Sequence, residues 1–263
     1  MENSEERTRV ESIFIRHRNV LMTRANFTDI YTDYYLHLSD HSIRYQADLD
    51  LKLKELLAAL TLHTVARPWA ETHAWTANLR APRVNFFATA SSTNENIVGR
   101  LFTKDVREPP QNLLYTQVSE KGREPRQSTV AVDSDEPFAW LEHFYLQSEQ
   151  RPGKIFELPD ENFVFLAAQP DYDEEWFDSL TVEAVSNLDD TEELSALETR
   201  FFHFHCGCNL ARIMPALAVW RDKLDELFQG QDHVKIQCPR CAATFQVTPA
   251  DFDKDDNNST PSS

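Results

Sequence analysis

Glycine is scarce in this chain: five residues in 263, at positions 99, 122, 153, 207 and 230. No two lie close enough to make the glycine-rich loop that cradles a nucleotide phosphate, which argues against dinucleotide-binding and P-loop enzymes. Positive charge is also short. Lys and Arg total 26 against 43 Asp and Glu, for a net charge of −17. A protein that tracks a nucleic-acid backbone needs basic clusters, so nucleic acid is not an expected partner. Long apolar runs are missing as well. The longest, from Phe163 to Ala168, is six residues, far below the ~20 a membrane-spanning helix needs, so no membrane association is expected. The opening MENSEERTRV is charged and polar, without a signal-peptide pattern, and the expected location is cytoplasmic. No GxSxG elbow or HExxH helix occurs, and an enzyme is not expected.

Cysteine is absent from the first 205 residues. All four lie at 206, 208, 238 and 241. A secreted disulfide scaffold would spread its bridges through the core, whereas these thiols form one local device.

What is present is a globular composition, 41% apolar and 26% charged. Residues 10 to 22 read as two strands around a turn near His17, and Thr28 to Leu38 as a short helix. Leu49, Leu53, Leu56, Leu57 and Leu60 make one apolar face on a helix from about Gln46 to Val65, ended by Pro68. From His73 to Val132 the period changes to two, in five runs separated by Pro, Asn and Gly, which predicts an antiparallel meander. A helix over about 134–150 and strands near 154–158 and 162–169 follow.

Between Ile155 and Thr199 there is no Lys or Arg but 14 acidic residues, most of the net charge. Phe177, Leu180, Ala184 and Leu188 fall on one narrow apolar stripe of an otherwise acidic helix. That pattern predicts a solvated helix docked by one edge, or a detachable linker.

The cysteines read Cys206-Gly207-Cys208, then 29 residues, then Cys238-Pro239-Arg240-Cys241. Two tight thiol pairs can converge on one tetrahedral Zn²⁺, and the four cysteines are the expected metal ligands. The one-residue spacing in the first pair needs the backbone freedom of Gly207. His203 and His205 lie three and one residues before Cys206, so a mixed His/Cys set is a second possibility. Four thiolates already complete a tetrahedron and leave no open position for a catalytic water.

The CGC and CPRC pairs with this spacer resemble the redox switch of the thirty-three-kilodalton chaperonin family, the redox-regulated heat-shock holdases. The run Trp140-Leu141-Glu142-His143-Phe144-Tyr145-Leu146-Gln147-Ser148-Glu149-Gln150 is similar to that family's helix ending in Ser-Glu-Gln. The similarity is clear from about Pro137 to Asp253. Family members usually carry glycine-rich turns in the N-terminal sheet. This chain has only Gly99 and Gly122 there, and resembles a divergent, glycine-poor member.

The resemblance implies an α+β fold: an N-terminal domain of antiparallel sheet with packed helices over 1–170, an acidic helical linker over 171–202, a zinc-binding redox-switch domain over 203–253 and a disordered tail over 254–263. It implies an ATP-independent chaperone that binds unfolding client proteins after oxidation, with a homodimer as a possible oxidised state. On oxidation the expected disulfides are Cys206–Cys208 and Cys238–Cys241, each partner being the nearest thiol along the chain. Phe177, Leu180, Ala184 and Leu188 are the expected linker surface over a client-binding face. The alternative is a constitutive zinc-ribbon interaction module without redox switching.

Overall fold

The computed structural model of the protein describes residues 7–254. Strands β1 (Thr8–Ile15) and β2 (Val20–Asn26) flank a tight turn in which His17 and Asn19 take φ values of 61° and 50°. Helices α1 (Thr28–Asp40) and α2 (Ala47–Val65) follow. The first turns of α2 are amphipathic, as its leucine spacing predicts, but from Leu56 to Val65 every residue is buried. The buried hydroxyls there find local acceptors: Thr61 donates to the Leu57 carbonyl at 2.8 Å and Thr64 to that of Leu60 at 2.7 Å. The helix can therefore be surrounded on all sides without orphaned polar groups. A Cβ at Gly99 would lie 2.9 Å from Leu57 Cδ2, so glycine lets the sheet approach α2 closely.

Five strands come next: β3 (Thr72–Leu79), β4 (Val84–Ser91), β5 (Asn96–Phe102), β6 (Leu113–Ser119) and β7 (Arg126–Ala131). They are not a simple meander. β6 returns to pair with β3 rather than with β5. The intervening segment contains Pro109 and Pro110, which offer no backbone donor for a ladder. Helix α3 (Pro137–Phe144) starts with proline in its first turn and runs into a π-helical turn over Tyr145–Glu149. Strands β8 (Gly153–Leu158) and β9 (Asn162–Ala168) complete the expected pair.

The acidic segment folds as three short helices, α4 (Glu174–Asp178), α5 (Val182–Ser186) and α6 (Leu188–Thr191), and then as strand β10 (Leu194–Phe204). The helical linker expected to reach residue 202 therefore stops near 191. Arg200, Phe202 and Phe204 alternate inward along β10, a period-two pattern that overrides the helical one. β10 takes the vacant edge of β5, pairing His203 with Asn96 and Phe204 with Ile97, and runs antiparallel to β1 on its other side. The result is one ten-stranded sheet in the order β7-β6-β3-β4-β5-β10-β1-β2-β9-β8. The N-terminal body consequently extends beyond the expected boundary at 170 to include residues 194–204.

Helices α1, α2 and α3 lie on the inner face of the sheet, where Trp75, Trp140, Tyr34, Tyr145, Phe86 and Phe202 are among the buried side chains. The C-terminal module comprises α7 (Leu210–Leu217), a 3-10 turn over Ala218–Lys223, α8 (Leu224–Phe228), the hairpin β11 (Val234–Gln237) and β12 (Thr244–Val247), and α9 (Pro249–Lys254). Lys254, expected in the tail, ends α9, and residues 255–263 of that tail lie outside the described residues.

Candidate metal centre and the linker beneath it

Each thiol pair is placed by the strand before it. Cys206 and Cys208 emerge directly from the end of β10, while Cys238 and Cys241 sit in the turn that joins β11 to β12. That turn is built as a knuckle. The Cys238 amide donates to the Ala243 carbonyl at 2.8 Å, and the Ala242 amide donates to the Cys238 carbonyl at 2.9 Å. Gly207 has φ +63°, the left-handed conformation that its one-residue spacer requires.

The four sulfurs lie within 4.8 Å of one another. Cys206 Sγ is 3.7 Å from Cys238 Sγ, and Cys208 Sγ is 3.5 Å from Cys241 Sγ. Four thiolates at a Zn–S distance of ~2.3 Å around a tetrahedral ion would have edges of ~3.8 Å. The observed separations match that set, so these donors fit a single metal ion. Cys206, Cys238 and Cys241 are buried. The protons are shared unevenly: the Cys206 thiol is pulled down to about 5, chiefly by hydrogen bonding from Cys241, with burial opposing and the Arg240 guanidinium assisting. Burial pushes Cys208 up to about 12, and Cys241, which gives its hydrogen bond to Cys206, is raised. One sulfur thus carries charge most readily, the nucleophilic form of a thiol.

His203 and His205 are held by the sheet edge: their amides donate to the carbonyls of Glu95 and Ile97, each at 3.1 Å. Their rings stack at 5.3 Å, and among the described residues the clustered donor set is the four thiols without a histidine. Three other residues dock the module on the N-terminal body, and no motif in the sequence marks them. Arg100 donates to the Cys238 carbonyl at 2.9 Å and to Gln237 Oε1 at 3.1 Å. His37 Nε2 lies 2.7 Å from the Cys241 carbonyl, and Asn96 donates to the His205 carbonyl at 3.1 Å.

The linker lies on the outer face of the sheet. Phe177, Leu180 and Leu188 are buried there against Ile13, Ile15, Val20, Met22, Val164 and Leu166. Ala184 is exposed, and Val185 occupies the inward position expected for it. The reason is local. The Thr181 hydroxyl caps α5 by accepting from the Ala184 amide at 3.2 Å, so a new helix begins there and the register set by Phe177 does not carry through.

The edges of this contact are ionic. Arg18 reaches Asp173 at 2.6 Å and Glu192 at 3.1 Å, and lies 5.2 Å from the centre of the Trp176 ring. Arg24 reaches Asp189 at 2.7 Å, and Arg16 reaches Glu193 at 2.8 Å. Lys154 donates to the carbonyls of Phe177 and Asp178 at the end of α4, at 2.7 and 3.1 Å. That is a favourable place for a cation. The Arg18 guanidinium holds the Asp173 carboxyl below its usual range, after the hydrogen bond from the Trp176 amide.

A ten-stranded α+β body, an acidic cover on one sheet face and a four-thiol module at the end of β10 make up the described residues, with four clustered cysteines that could hold a metal ion. Residues 157–248 match the model of the Hsp33 protein family. Two curated relatives are similar: a 33 kDa chaperonin of Aeromonas salmonicida (strain A449), 28% identical over 170 residues, and one of Edwardsiella ictaluri (strain 93-146), 23% identical over 167. Each alignment covers 54% of this chain and 57% of the relative, so the match spans little more than half the length of either. The crystal structure of a 33 kDa chaperonin from Thermotoga maritima has the same fold, with a TM-score of 0.69 at 15% identity over 95% of this chain and 97% of that one. The matched residues 157–248 contain the CGC and CPRC pairs, so the family match falls on the segment whose motifs carry the resemblance.

Proposed function

We propose that the protein is an ATP-independent holdase chaperone, switched on by thiol oxidation, that captures unfolding proteins on the sheet face now covered by its acidic linker. The observation that carries this reading is the route of β10. One strand runs from the end of the linker, at α6, straight into Cys206.

Zinc is the metal that four thiolates suit. When bound to Cys206, Cys208, Cys238 and Cys241 it would keep their sulfurs deprotonated and tie the end of β10 to the β11–β12 knuckle. The module's own core is small: Met214, Phe228, Val247 and Phe252 are buried within it, while Ile213 and Ala243 join the core of the N-terminal body. A block of roughly 50 residues with so small a core depends on its cross-link, and metal affinities of ~10–16 kcal/mol are folding free energy in such modules.

A peroxide is the oxidant class that fits. For each disulfide formed from two metal-held thiolates, the sulfurs give up two electrons, the solvent supplies two protons, the peroxide leaves as two waters and the metal loses two ligands. Cys206–Cys208 and Cys238–Cys241 remain the proposed pairs. The thiols of the shortest contacts, Cys206 with Cys238 and Cys208 with Cys241, are the competing products. β10 meets β5 only at His203 and Phe204, while its pairs with β1 run from Leu194 to Phe202, so opening the module would free the strand end beyond Phe202, where Phe204 packs on Tyr34 and His37. The strand that anchors the linker is then loosened from its C-terminal end. The high negative charge would keep the opened protein soluble.

The test is to treat metal-loaded, reduced protein with peroxide at mild heat while following zinc release and the aggregation of a thermally unfolding client. The expected result is suppression of aggregation only after oxidation, with loss of metal. A Cys206→Ser, Cys238→Ser double variant should lose metal and suppress aggregation without oxidant. Metal retained through oxidation with no client binding would favour a constitutive zinc-ribbon interaction module instead.

A further inference from the structure

Among the described residues the linker is seated on the outer face, and its chemistry describes what that face accepts. Its buried side chains Phe177, Leu180, Val185 and Leu188 fill the centre. The carboxylates that pair with the sheet lie at its two ends, Asp173 before the apolar residues and Asp189, Glu192 and Glu193 after them, while Asp178 and Glu183 between those residues are exposed. The face answers in kind. Its middle is apolar, and its rim carries Arg16, Arg18, Arg24 and Lys154, in a chain whose net charge is −17. Among the described residues, the carboxylates that pair with Arg16 and Arg18 all belong to the linker, whereas Arg24 also holds Glu11 at 2.9 Å. Removing the linker therefore bares an apolar surface together with guanidinium groups that have lost their counter-ions. A cleft of about 360 Å³ already stands open at the edge of this contact, lined by Met22, Arg24, Val164, Val185 and Asp189.

We propose that this face selects client segments of the linker's own type: acidic amphipathic stretches with several large apolar residues flanked by carboxylates. The proposal deepens the holdase reading and rests on it. A purely apolar face would take any sticky segment. Here a neutral or basic segment leaves the rim arginines unpaired beside a buried surface, while an acidic one restores the pairs the linker made. Selectivity by charge would be added to affinity from apolar burial.

The experiment uses the reduced full-length chain with Phe177→Ala and Leu188→Ala, which weakens the internal copy and opens the face independently of the thiols. Unchanged zinc content and protected amides in α2 show that the rest of the molecule is intact. Three synthetic peptides are titrated against it: the sequence of residues 171–193, the same peptide with its carboxylates changed to amides, and the same peptide with lysine in their place. The acidic peptide should bind at least tenfold more tightly than either of the others. Arg16→Gln, Arg18→Gln and Arg24→Gln introduced together should erase that preference, and the three corresponding Lys substitutions should retain it. Equal affinity for the three peptides would overturn the proposal, as would a preference that survives in the glutamine host. Absence of peptide binding both to this host and to the oxidised native chain would also overturn it. Suppression of client aggregation by the oxidised native chain is measured separately. Its failure would sink the holdase reading while the peptide preference still reports on the face.

Discussion

The two halves of the outer sheet face have opposite chemistry. Across β1, β2, β9 and β8 the outward rows are Ile13–Met22–Leu166 and Ile15–Val20–Ala168, and the linker helices lie over them. Across β4, β3, β6 and β7 the outward rows read Asn85–Asn78–Leu113–Ala131, Phe87–Thr76–Tyr115–Thr129 and Thr89–Ala74–Gln117–Gln127, and Tyr115 is 39% exposed. One sheet thus carries a polar half that can face water alone and an apolar half that cannot. An antiparallel sheet tolerates a solvated face only where its outward residues are polar. Exposing the covered half would create a contiguous apolar patch, the feature that marks an interaction surface. The linker thus covers the half that cannot face water alone, whereas α2 is surrounded by the core from Leu56 to Val65.

The strongest way to break this difference is to delete the linker's central side chain. Phe177 is fully buried and meets Tyr172 edge-on at 5.5 Å. Phe177→Ala should cost about 3–5 kcal/mol of linker docking. Residues 171–193 should lose hydrogen-exchange protection and an apolar dye should bind, while zinc content and the protection of α2 stay unchanged. Tyr115→Ala on the bare half should change stability by no more than ~0.5 kcal/mol and leave the linker protected. If both substitutions act alike, the two halves are not distinct. Leu180→Glu belongs to the same test and should give a reduced, metal-bound protein that already holds clients.

The inner face offers a contrast of pH response. His63 on α2 and His73 on β3 are buried side by side, 4.8 Å between ring centres, with the Tyr145 hydroxyl 3.1 Å from His63 Nδ1. His73 Nε2 is 3.3 Å from Glu71 Oε2 but aligned with it too poorly for a hydrogen bond. Burial, with Arg67 and other cations nearby, lowers His73 to about 3 and keeps His63 well below its ordinary 6.5. Both are neutral in the fold, while the unfolded chain takes up protons near 6.5. The stability these rings contribute is thus complete above that pH and is lost as pH drops through 6.5, for His73 at about 1.4 kcal/mol per unit down to about 3 and for His63 in the same direction. The linker carboxylate at Asp173 is instead lowered, so its contribution persists to below 3.8. Denaturant midpoints measured from pH 7.5 to 4.5 should fall for the native chain and much less for a His63→Gln, His73→Gln variant. Glu55, whose carboxyl burial raises to about 7, offsets part of the fall, so equal profiles in the native chain and the variant would show that these rings do not carry the pH dependence.

Much of this was legible in the residues, and the gaps have physical causes. The thiol spacing pointed to the four-thiol cluster because two tight pairs bring their sulfurs together locally. The leucine spacing gave α2 because a helix is written at short range. β10 was hidden because Leu194–Phe204 follows an acidic helical pattern, and its partners β1 and β5 lie far away in sequence. The return of β6 to β3 is a pairing that periodicity cannot express. Ala184 was placed inward by extending one helix across Thr181, where a cap ends the register. Arg18, Arg100 and Arg200 look alike in the sequence. Only the fold shows that the first holds the linker, the second holds the knuckle, and the third, buried, donates to the carbonyls of Thr64 and Arg67 behind α2.

The smallest expected effect separates ion pairs by where they sit. Exposed pairs contribute about 0–1 kcal/mol and are screened by salt. Arg24–Asp189, with Asp189 60% exposed, falls in that class, and Asp189→Asn should weaken linker docking by less than 1 kcal/mol at low salt and by nothing measurable at about 0.5 M. Arg18–Glu192 is different, because Glu192 is only 10% exposed and accepts from both the Nε and Nη2 atoms of the guanidinium. Bidentate geometry and partial burial reduce screening, so Glu192→Gln should cost more than Asp189→Asn and keep most of that cost at high salt. On the bare half, Arg80–Glu108 joins two exposed side chains, and Glu108→Gln should leave linker protection untouched at any salt. Hydrogen exchange of residues 173–193 in the three variants, at low and high salt, measures this order. A linker that responds equally to all three would be held by overall charge rather than by the arginines at its edges.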